Sequence, residues 1–426
     1  MSNPIPEGWS MLEMSEIITQ FQNGNAFSAK GYAPEGIPIV SMGSIQLDGI
    51  FKKDNKKIKY WNSADREKLL RYIVKPQDLI MAMTDVTPTM ELIGRACIVN
   101  ADREYLLNQR VGLIKVDEER VSKYFLAYLS NYDDWRSYCM GASGLGAQAN
   151  LGTAQILDGI VLLPPLPEQQ KIASILSSVD NVIEKTRAQI DKLKDLKTGM
   201  MQELLTKGIG HTEFKDSPVG RIPAAWGCKK LDQLAAFVTS GSRGWAQYYS
   251  DAGPIFIRIG NLTREHINLR FNDTVHVCPP DSAEGKRTQV QLGDVLISIT
   301  ADLGVIGVVN ESIGEAYVNQ HISLVRLRDP SEARWIGHFL AFENTQKQFT
   351  ANNDSGAKAG LNLPAIRNTL VAMPAKNERD KIVETLDSID TDIVMKRTML
   401  DRISSVKKAI MQDLLTGKVR VKPSDS

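Results

Sequence analysis

The sequence is poor in cysteine, in long hydrophobic runs and in net charge. Its four cysteines, Cys97, Cys139, Cys228 and Cys278, form no Cys-x-x-Cys pair, which excludes a disulfide framework and a thiolate metal cage and favours reduced, buried thiols. No apolar run reaches the roughly 18 residues of a membrane span, and no charged-then-apolar leader is present, so we expect a soluble cytoplasmic protein that binds no membrane. The 51 Lys+Arg and 50 Asp+Glu leave a net charge of +1, which argues against a uniformly basic nucleic-acid binder but allows local basic patches.

The sequence also lacks the common catalytic motifs. There is no Gly-x-x-x-x-Gly-Lys-Ser/Thr loop for a nucleotide phosphate and no His-Glu-x-x-His for zinc. Asp281, Glu284 and Lys286 have the residue types of a magnesium-dependent nuclease, but their spacing places them in one loop rather than on neighbouring strands. We therefore predict neither a catalytic nor a metal site, and a concealed nuclease remains a rival hypothesis.

What the sequence does contain is a long internal repeat. Ile5-Pro6-Glu7-Gly8-Trp9 returns 217 residues later as Ile222-Pro223-Ala224-Ala225-Trp226. Asn108-Gln109 matches Asn319-Gln320, and Met201–Thr206 matches Met411–Thr416 at an offset of 210. The matches keep their order while the offset changes by only seven residues, so the chain consists of two copies of one unit.

Each copy changes character once along its length. Residues 1–163 and 221–373 are rich in Gly, Pro and Asn and mix short β-type runs with short helical stretches, which predicts compact α/β domains. Residues 164–207 and 374–416 instead carry apolar residues at three- and four-residue steps, which is typical of one long amphipathic helix. A linker, 208–220, joins the copies, and a tail, 417–426, ends the chain.

A long amphipathic helix has to bury its apolar stripe. We predict that the two helices pair antiparallel as a coiled coil, which makes the direct repeat a pseudo-twofold arrangement. The alternative is that each helix packs only on its neighbouring globular domain. The residues predicted to pair the helices are Ile172, Ile175, Val179, Val182, Leu193, Leu196, Met200, Ile382, Leu386, Ile389, Ile393, Leu400, Ile403, Val406 and Ile410.

Both globular domains have a local excess of basic residues. Residues 51–75 hold nine Lys or Arg against three acidic residues, with Tyr60 and Trp61 among them, and residues 221–270 hold seven against three. Lysine clusters suit phosphate contacts, and Arg beside Asn or Gln suits the reading of base edges. A merely solvated basic face is the alternative interpretation.

Three segments together resemble the specificity subunits of type I restriction-modification enzymes. They are the run Pro165-Leu166-Pro167-Glu168-Gln169-Gln170-Lys171-Ile172 at the start of the first long helix, the Met201–Thr206 end of that helix, and the segment Phe214–Trp226. The second copy departs from the pattern, since Asn377-Glu378-Arg379-Asp380-Lys381-Ile382 stands in place of Pro-Glu-Gln-Gln-Lys-Ile. The resemblance covers essentially the whole chain.

The resemblance implies an α+β fold in which two target recognition domains are joined by the two long helices. In that family each domain reads one half of a bipartite, asymmetric site in double-stranded DNA, and the helices fix the spacer. It implies two methyltransferase (modification) subunits and restriction subunits as partners. It implies that this chain is not catalytic and carries no cofactor, because S-adenosylmethionine, ATP and Mg belong to those partners. A scaffold with two protein-binding heads is the alternative from another class.

On this reading we expect the DNA contacts to come from the basic windows and from the Gly-rich loop 143–150, although that loop is equally compatible with a structural turn. The candidate DNA-binding residues are Lys52, Lys53, Lys56, Lys57, Arg66, Ser143, Gln148, Arg243, Arg258, Asn261, Arg264, Lys286 and Arg287.

Overall fold

The structure is a computed structural model, and it describes residues 5–53, 58–144, 149–241, 243–271, 273–279, 281–310, 313–351 and 360–422. Two helices dominate it: α4, Leu166–Lys207, has 42 residues, and α10, Lys376–Leu415, has 40. At about 1.5 Å per residue, each is roughly 60 Å long. Within the described ranges, no helix is both long and apolar enough to cross a membrane.

The chain divides into two compact units that each contain parts of both long helices. The first unit is Met1–Glu184 with Asp401–Ser426, and the second is Lys185–Leu400. Each unit therefore combines one globular domain, the start of the helix that follows it, and the end of the other helix. The units are therefore not consecutive segments of the chain, because the two ends of each long helix belong to different units.

The first unit is built on two sheets. Its four-stranded sheet has the order β2-β11-β7-β9 and is antiparallel throughout, and its five-stranded sheet has the order β3-β5-β4-β10-β6. The elements are β1 Ser10–Glu13, β2 Ile18–Asn23, β3 Tyr32–Ala33, β4 Ile37–Val40, β5 Lys59–Trp61, β6 Ile73–Val74, β7 Leu79–Ala82, β8 Thr84–Asp85, β9 Ala96–Ile98, β10 Tyr105–Leu107, β11 Val111–Val116, α1 Lys123–Leu129, α2 Asp133–Ala142, β12 Ala149–Asn150, α3 Thr153–Leu157 and β13 Ile160–Leu163.

The second unit repeats this plan with a four-stranded antiparallel sheet of order β17-β23-β20-β21 and a three-stranded sheet of order β19-β18-β22. The elements are β14 Phe214–Ser217, β15 Gly220–Pro223, β16 Gly227–Lys230, α5 Leu231–Leu234, β17 Ala235–Ser240, β18 Tyr249–Ile257, β19 His276–Val277, α6 Ala283–Thr288, β20 Val295–Ser298, β21 Ile306–Val308, β22 Ala316–Val318, β23 Ile322–Leu327, α7 Ala333–Ala341, α8 Glu343–Ala351, α9 Leu363–Asn368 and β24 Leu370–Met373.

Strand pairing confirms the internal repeat. In each unit the first strand after the repeated Trp pairs antiparallel with the strand just before the long helix, β1 with β13 and β16 with β24. The parallel pair of β4 with β10 has its counterpart in β18 with β22. Because both ends of each globular domain meet in one antiparallel pair, the following helix starts from a defined position.

The helix segments pack antiparallel within each unit, as predicted. In the second unit, Met201 and Leu205 of α4 share an apolar core with Ile382 and Leu386 of α10. In the first unit, the start of α4 shares a core with the end of α10. These cores also include residues of the globular domains, so each helix segment packs on its neighbouring domain as well as on the other helix.

The predicted pairing stripe is wrong at three positions, because the side chains of Val182, Leu196 and Val406 are 43%, 51% and 53% exposed. Of the others, Ile172, Ile382, Leu386, Ile389, Ile393 and Leu400 are buried, and Ile175, Val179, Leu193, Met200, Ile403 and Ile410 are half-buried. The buried face of α4 instead continues through Ile183, Ile190 and Lys197. Because a lysine stands at this core position, the apolar pattern of the sequence pointed to the neighbouring Leu196 instead.

The thiols also differ from expectation. Cys97 and Cys139 are buried, and burial raises the pKa of both thiols, whereas Cys228 is half-buried and Cys278 is exposed. The expectation of buried thiols therefore holds only for the first unit.

Candidate nucleic-acid interface

A network of charged side chains anchors the helices inside each unit. In the second unit, Lys197 Nζ lies 2.6 Å from Asp390 Oδ1 and donates to the Glu265 carbonyl oxygen at 3.1 Å. In the first unit, Lys407 Nζ lies 2.6 Å from Asp180 Oδ1 and donates to a loop carbonyl of the globular domain. The same contact therefore joins both helices to the globular domain in each copy.

A second repeated contact explains the glutamate at the start of each long helix. Trp9 Nε1 donates to Glu168 at 3.3 Å, and Trp226 Nε1 donates to Glu378 at 3.0 Å. Arg420 completes the first group, with its Nε 2.8 Å from Glu168 Oε1. Burial opposes ionisation of Glu168, but its hydrogen bonds with Arg420 keep the pKa of the carboxyl below its usual value. The Trp and Glu of the repeat thus fix the start of each long helix to the segment that leads into β1 or β16.

One group in the second unit has the ligand types of a metal site. His338, Asp387 and Asp390 place three possible ligand atoms within 4.8 Å of one another. Protein cations already balance both carboxylates, because Lys197 pairs with Asp390 and Arg334 donates to Asp387 at 2.9 Å. Burial lowers the pKa of His338 and so disfavours its charged form. This chemistry fits a buried polar network better than a cation site.

The basic window of the first unit splits into exposed and engaged residues. Lys52 and Lys53 are exposed on the connection that follows β4. Arg66 is engaged, since its Nη2 lies 2.8 Å from Glu104 Oε2. Arg66 is therefore paired within the domain, and its side chain is still 42% exposed. Lys56 and Lys57 lie outside the described residues.

Two predicted arginines of the second unit pair with carboxylates. Arg258 Nη2 lies 3.0 Å from Asp273, and Arg264 Nη2 lies 2.6 Å from Asp302 and donates to the Leu303 carbonyl at 2.7 Å. Each guanidinium therefore uses part of its five N–H donors on a neighbouring carboxylate. The prediction that both are available DNA contacts is not supported by this geometry.

The other predicted cations of the second unit are more open. Arg243 is exposed, and the side chain of Lys286 is 79% exposed although its Nζ lies 3.5 Å from Asp281. Arg287 Nη1 donates to the Ser240 carbonyl at 2.7 Å, which places it at the end of β17, close in the chain to Arg243. The side chain of Asp281 is 93% exposed, so it lies on the surface.

Two predicted DNA contacts are wrong because they are buried structural residues. Asn261 is 2% exposed, accepts from the Arg258 N–H at 2.8 Å and donates to the Arg270 carbonyl at 2.8 Å. Ser143 is 6% exposed and donates to the Met140 carbonyl at 2.9 Å, so it closes the end of α2. Their side chains satisfy local backbone groups, as Asn and Ser do in turns. Gln148 lies outside the described residues.

Sequence reasoning missed a polar surface that occurs in both units. It lies where β2 ends beside Asn108-Gln109 in the first unit and where β17 ends beside Asn319-Gln320 in the second. A Cβ atom on Gly24 would lie 2.1 Å from the Asn108 carbonyl oxygen, and one on Gly241 would lie 2.0 Å from the Asn319 carbonyl oxygen. Only glycine permits so close an approach of two backbones. The Asn-Gln match between the copies was the signal that pointed to this place.

We call this place the strand-end surface. In the first unit it consists of Asn23, Gln109, Arg110 and Asn150, and in the second unit of Arg243, Arg287, Gln320 and His321. His321 is held by Thr300, whose hydroxyl lies 2.7 Å from the ring Nδ1. Amide and guanidinium side chains are the types that read base edges in the major groove. The surface is therefore a candidate DNA-reading surface in each unit.

Comparison with known proteins identifies the family to which the chain belongs. The family model described as the type I restriction modification DNA specificity domain matches residues 6–195 and 253–404. The putative type I restriction enzyme MjaX specificity subunit of Methanocaldococcus jannaschii is 26% identical over 98% of this chain and 95% of its own. The EcoBI specificity subunit of Escherichia coli is 22% identical over 97% of this chain and 87% of its own.

A shorter stretch is more similar, and a solved structure shares the fold. The MjaVIII specificity subunit of M. jannaschii is 31% identical over 61% of this chain and 62% of its own. The crystal structure of the type I restriction-modification system S subunit from M. genitalium matches with a TM-score of 0.61 at 11% identity and covers 97% of both chains. The chain belongs to the type I restriction-modification DNA specificity family, whose members recognise DNA sequence.

Proposed function

We propose that each unit reads one half of a bipartite, asymmetric DNA site through its strand-end surface. The observation that carries the proposal is the repeat itself: corresponding strands pair in both units, and the surface keeps a shared glutamine but otherwise carries different side chains, such as Arg110 in place of His321. Gln109 and Arg110 occupy the positions of Gln320 and His321 in the second unit. Because different donors and acceptors select different base edges, one fold used twice reads two different half-sites.

Exchange of one globular domain tests this assignment. Residues 1–163 are replaced by the corresponding domain of a relative, and the methylated sequence is mapped across the genome of a host carrying the intact system. The expected result is a new sequence in one half-site, with the other half and the spacer unchanged. The reciprocal exchange of residues 221–373 is the matched control and changes the other half. Alteration of both halves by one exchange contradicts the proposal.

We propose further that the paired helices fix the number of unspecified base pairs between the half-sites. The register of the two Lys–Asp pairs places Arg187–Ile190 of α4 opposite Arg397–Leu400 of α10 within the second unit. Deleting both segments together removes one turn from each helix and keeps the register on either side. Four residues span about 6 Å, which corresponds to about two base pairs of B-DNA.

Methylation mapping of this paired deletion measures the spacer directly. The expected outcome is the same two half-sites separated by a spacer about two base pairs shorter. Deletion of only one of the two segments is the control. It should destabilise the chain, because the apolar residues of one helix are then shifted relative to those of the other. A paired deletion that folds and keeps the original spacer refutes the role of the helices.

The chain works in a restriction-modification complex, and we propose that its partners are two modification subunits, joined by restriction subunits. In this proposal the partners bind S-adenosylmethionine, ATP and Mg, this chain binds none of them, and the assembly acts on DNA in the cytoplasm. Exposed apolar side chains on the helices support protein docking: Leu196, Met395 and Met399 are 51%, 57% and 45% exposed. Native mass spectrometry of the Leu196→Lys variant with the modification subunit tests this, with Lys192→Ala as the control on the same helix.

A further inference from the structure

The first unit contains a cleft beside the Lys407–Asp180 contact and away from the strand-end surface. It has a volume of about 530 Å³ and lies between the globular domain and the start of α4. It is large enough for a long side chain or a small molecule. Its walls include Asp48, Gln77, Tyr124, Tyr128, Ser177 and Glu184.

The repeat shows what fills the equivalent place in the second unit. There, Arg334 of α7 extends to α10 and donates from Nε to Asp387 at 2.9 Å and from Nη1 to Asn268 Oδ1 at 2.8 Å. Its side chain is 17% exposed, so the guanidinium is packed between the globular domain and the helix. The second unit thus carries its own arginine at this junction.

In the first unit, the same three positions hold different residues. Tyr124 stands at the position of Arg334, Ser177 at that of Asp387, and Phe51 at that of Asn268. All three line the cleft. The guanidinium and both of its acceptors are absent from the first unit, and space opens where they would lie.

Two smaller residues widen the opening. Gly49 corresponds to His266 and Ala173 corresponds to Val383, and both small residues line the cleft. His266 is buried in the second unit, where its ring lies 3.0 Å from the Asn268 carbonyl. The cleft is therefore a specific consequence of how the two copies have diverged.

The open cleft has an acidic and aromatic character. Asp48, Asp180 and Glu184 line it, and of these Asp180 is paired with Lys407 and accepts from the Tyr128 hydroxyl at 2.8 Å. Burial, followed by the charges of Asp180 and Glu184, raises the pKa of Tyr128. Lys407 already supplies a cation to Asp180 and lies 5.6 Å from the centroid of the Tyr128 ring. Glu184 adds an exposed carboxylate to the cleft wall, and a further positively charged group is the complement of that side.

One wall residue is held in a strained backbone conformation. Gln77 has φ of 69°, in the left-handed region, whereas the equivalent turn of the second unit has Gly293 with φ of 84°. The Gln77 side chain accepts from the Tyr124 hydroxyl at 3.0 Å and faces the cleft. A non-glycine residue in this conformation costs about 1–3 kcal/mol and tends to occur at functional sites.

We propose that this cleft binds an arginine side chain supplied by a protein partner, in place of the arginine that the second unit carries itself. The proposal rests on the proposed assembly with modification subunits. Arginine suits the site better than lysine, because a planar guanidinium stacks on tyrosine rings and donates in several directions at once. The partner accordingly docks differently on the two units.

Binding of argininamide to the full chain tests the cleft directly. Isothermal titration should show one saturable site for argininamide and at least tenfold weaker binding of its uncharged analogue citrullinamide. The double variant Tyr124→Arg, Ser177→Asp installs the residues of the second unit and should abolish this binding. Ser178→Asp, which adds the same charge one position along the exposed helix surface, is the matched control and should retain it. We call this double variant the filled variant. If it binds argininamide as strongly as the parent chain does, the proposal is refuted.

The second measurement uses the modification subunit of the same system. The filled variant should bind one modification subunit at least tenfold more weakly than the parent chain does. The Ser178→Asp variant should bind both modification subunits with the affinity of the parent chain. Unchanged affinity of the filled variant overturns the proposal, even if argininamide binds. If the parent chain itself binds no modification subunit, the proposed assembly is wrong, whereas the argininamide titration still decides whether the cleft accepts a guanidinium group. Circular dichroism of both variants checks that they are folded.

Discussion

The buried ion pair of the second unit gives the most demanding test of how the helices are held. The side chains of Lys197 and Asp390 are 8% and 0% exposed, and the two groups lie 2.6 Å apart. Asp390 also accepts from the backbone N–H of Ile267 at 3.2 Å. Replacing Lys197 by Met keeps the apolar stem but leaves the carboxylate buried without its cation.

The expected loss of stability is large. Removing one partner of a buried pair costs about 3–5 kcal/mol, because the remaining charge is left uncompensated. For a unit of this size, 1 kcal/mol lowers the melting temperature by roughly 2–4 °C, so Lys197→Met should lower it by about 6–20 °C. Asp390→Asn in the same chain removes the orphaned charge and keeps an acceptor for Ile267, so the double variant should recover more than half of the loss.

Calorimetry and urea unfolding of the full chain measure these differences. Lys207→Met is the matched control on the same helix, because Lys207 is 61% exposed and pairs only with Glu203 at 2.8 Å. An exposed pair contributes less than about 1 kcal/mol, so this control should change little. The reasoning fails if Lys197→Met costs no more than the control, or if the double variant is as unstable as the single one.

Three further predictions concern the reading surface, pH and backbone packing. Gln109→Ala and Gln320→Ala should each relax specificity in one half-site by about 1–3 kcal/mol, which methylation mapping and competition binding measure; relaxation of both halves by one variant contradicts the assignment. Against the effect of burial, ion pairs with both helices lower the pKa of Glu265 to about 2, so its stabilising contribution is complete above its usual pKa of 4.5 and is lost as the pH falls towards 2. Glu265→Gln should therefore flatten the pH dependence of unfolding in that window, and an unchanged slope contradicts this. Gly24→Ala should cost about 1–3 kcal/mol or more in urea unfolding, because the added Cβ meets a backbone carbonyl, whereas Gly141→Ala, where the Cβ meets nothing within 4 Å, should cost nothing; equal effects would refute this.

The repeat and the long helices were predictable because both are periodic. Ordered matches over some 200 residues and apolar residues at three- and four-residue steps are properties of the sequence that need no knowledge of contacts. The detailed register was not predictable, because the buried face contains Lys197 while Leu196 beside it is exposed. A lysine enters a core only when a specific partner is present, and Asp390 is nearly 200 residues away in the chain.

The DNA candidates illustrate a second limit. Composition finds charged residues but does not show whether a carboxylate has already engaged them, as Glu104 engages Arg66 and Asp302 engages Arg264. It likewise cannot separate a polar side chain that caps a turn, such as Asn261, from one that faces solvent. The repeat is more informative, since the Asn-Gln match marks the glycine-mediated approach of two strands in both units.

The two units differ where contact with other molecules is expected and agree where the scaffold needs support. The Trp–Glu contact and the Lys–Asp pair occur in both copies with nearly the same distances. The strand-end surfaces carry different side chains, and the junction of helix and domain is closed by Arg334 in one unit and open beside Tyr124 in the other. If the open cleft were only loose packing, nothing would require its acidic and aromatic walls. A duplicated chain that keeps its supports and changes its surfaces can present two reading surfaces to DNA and two distinct docking sites to its partners.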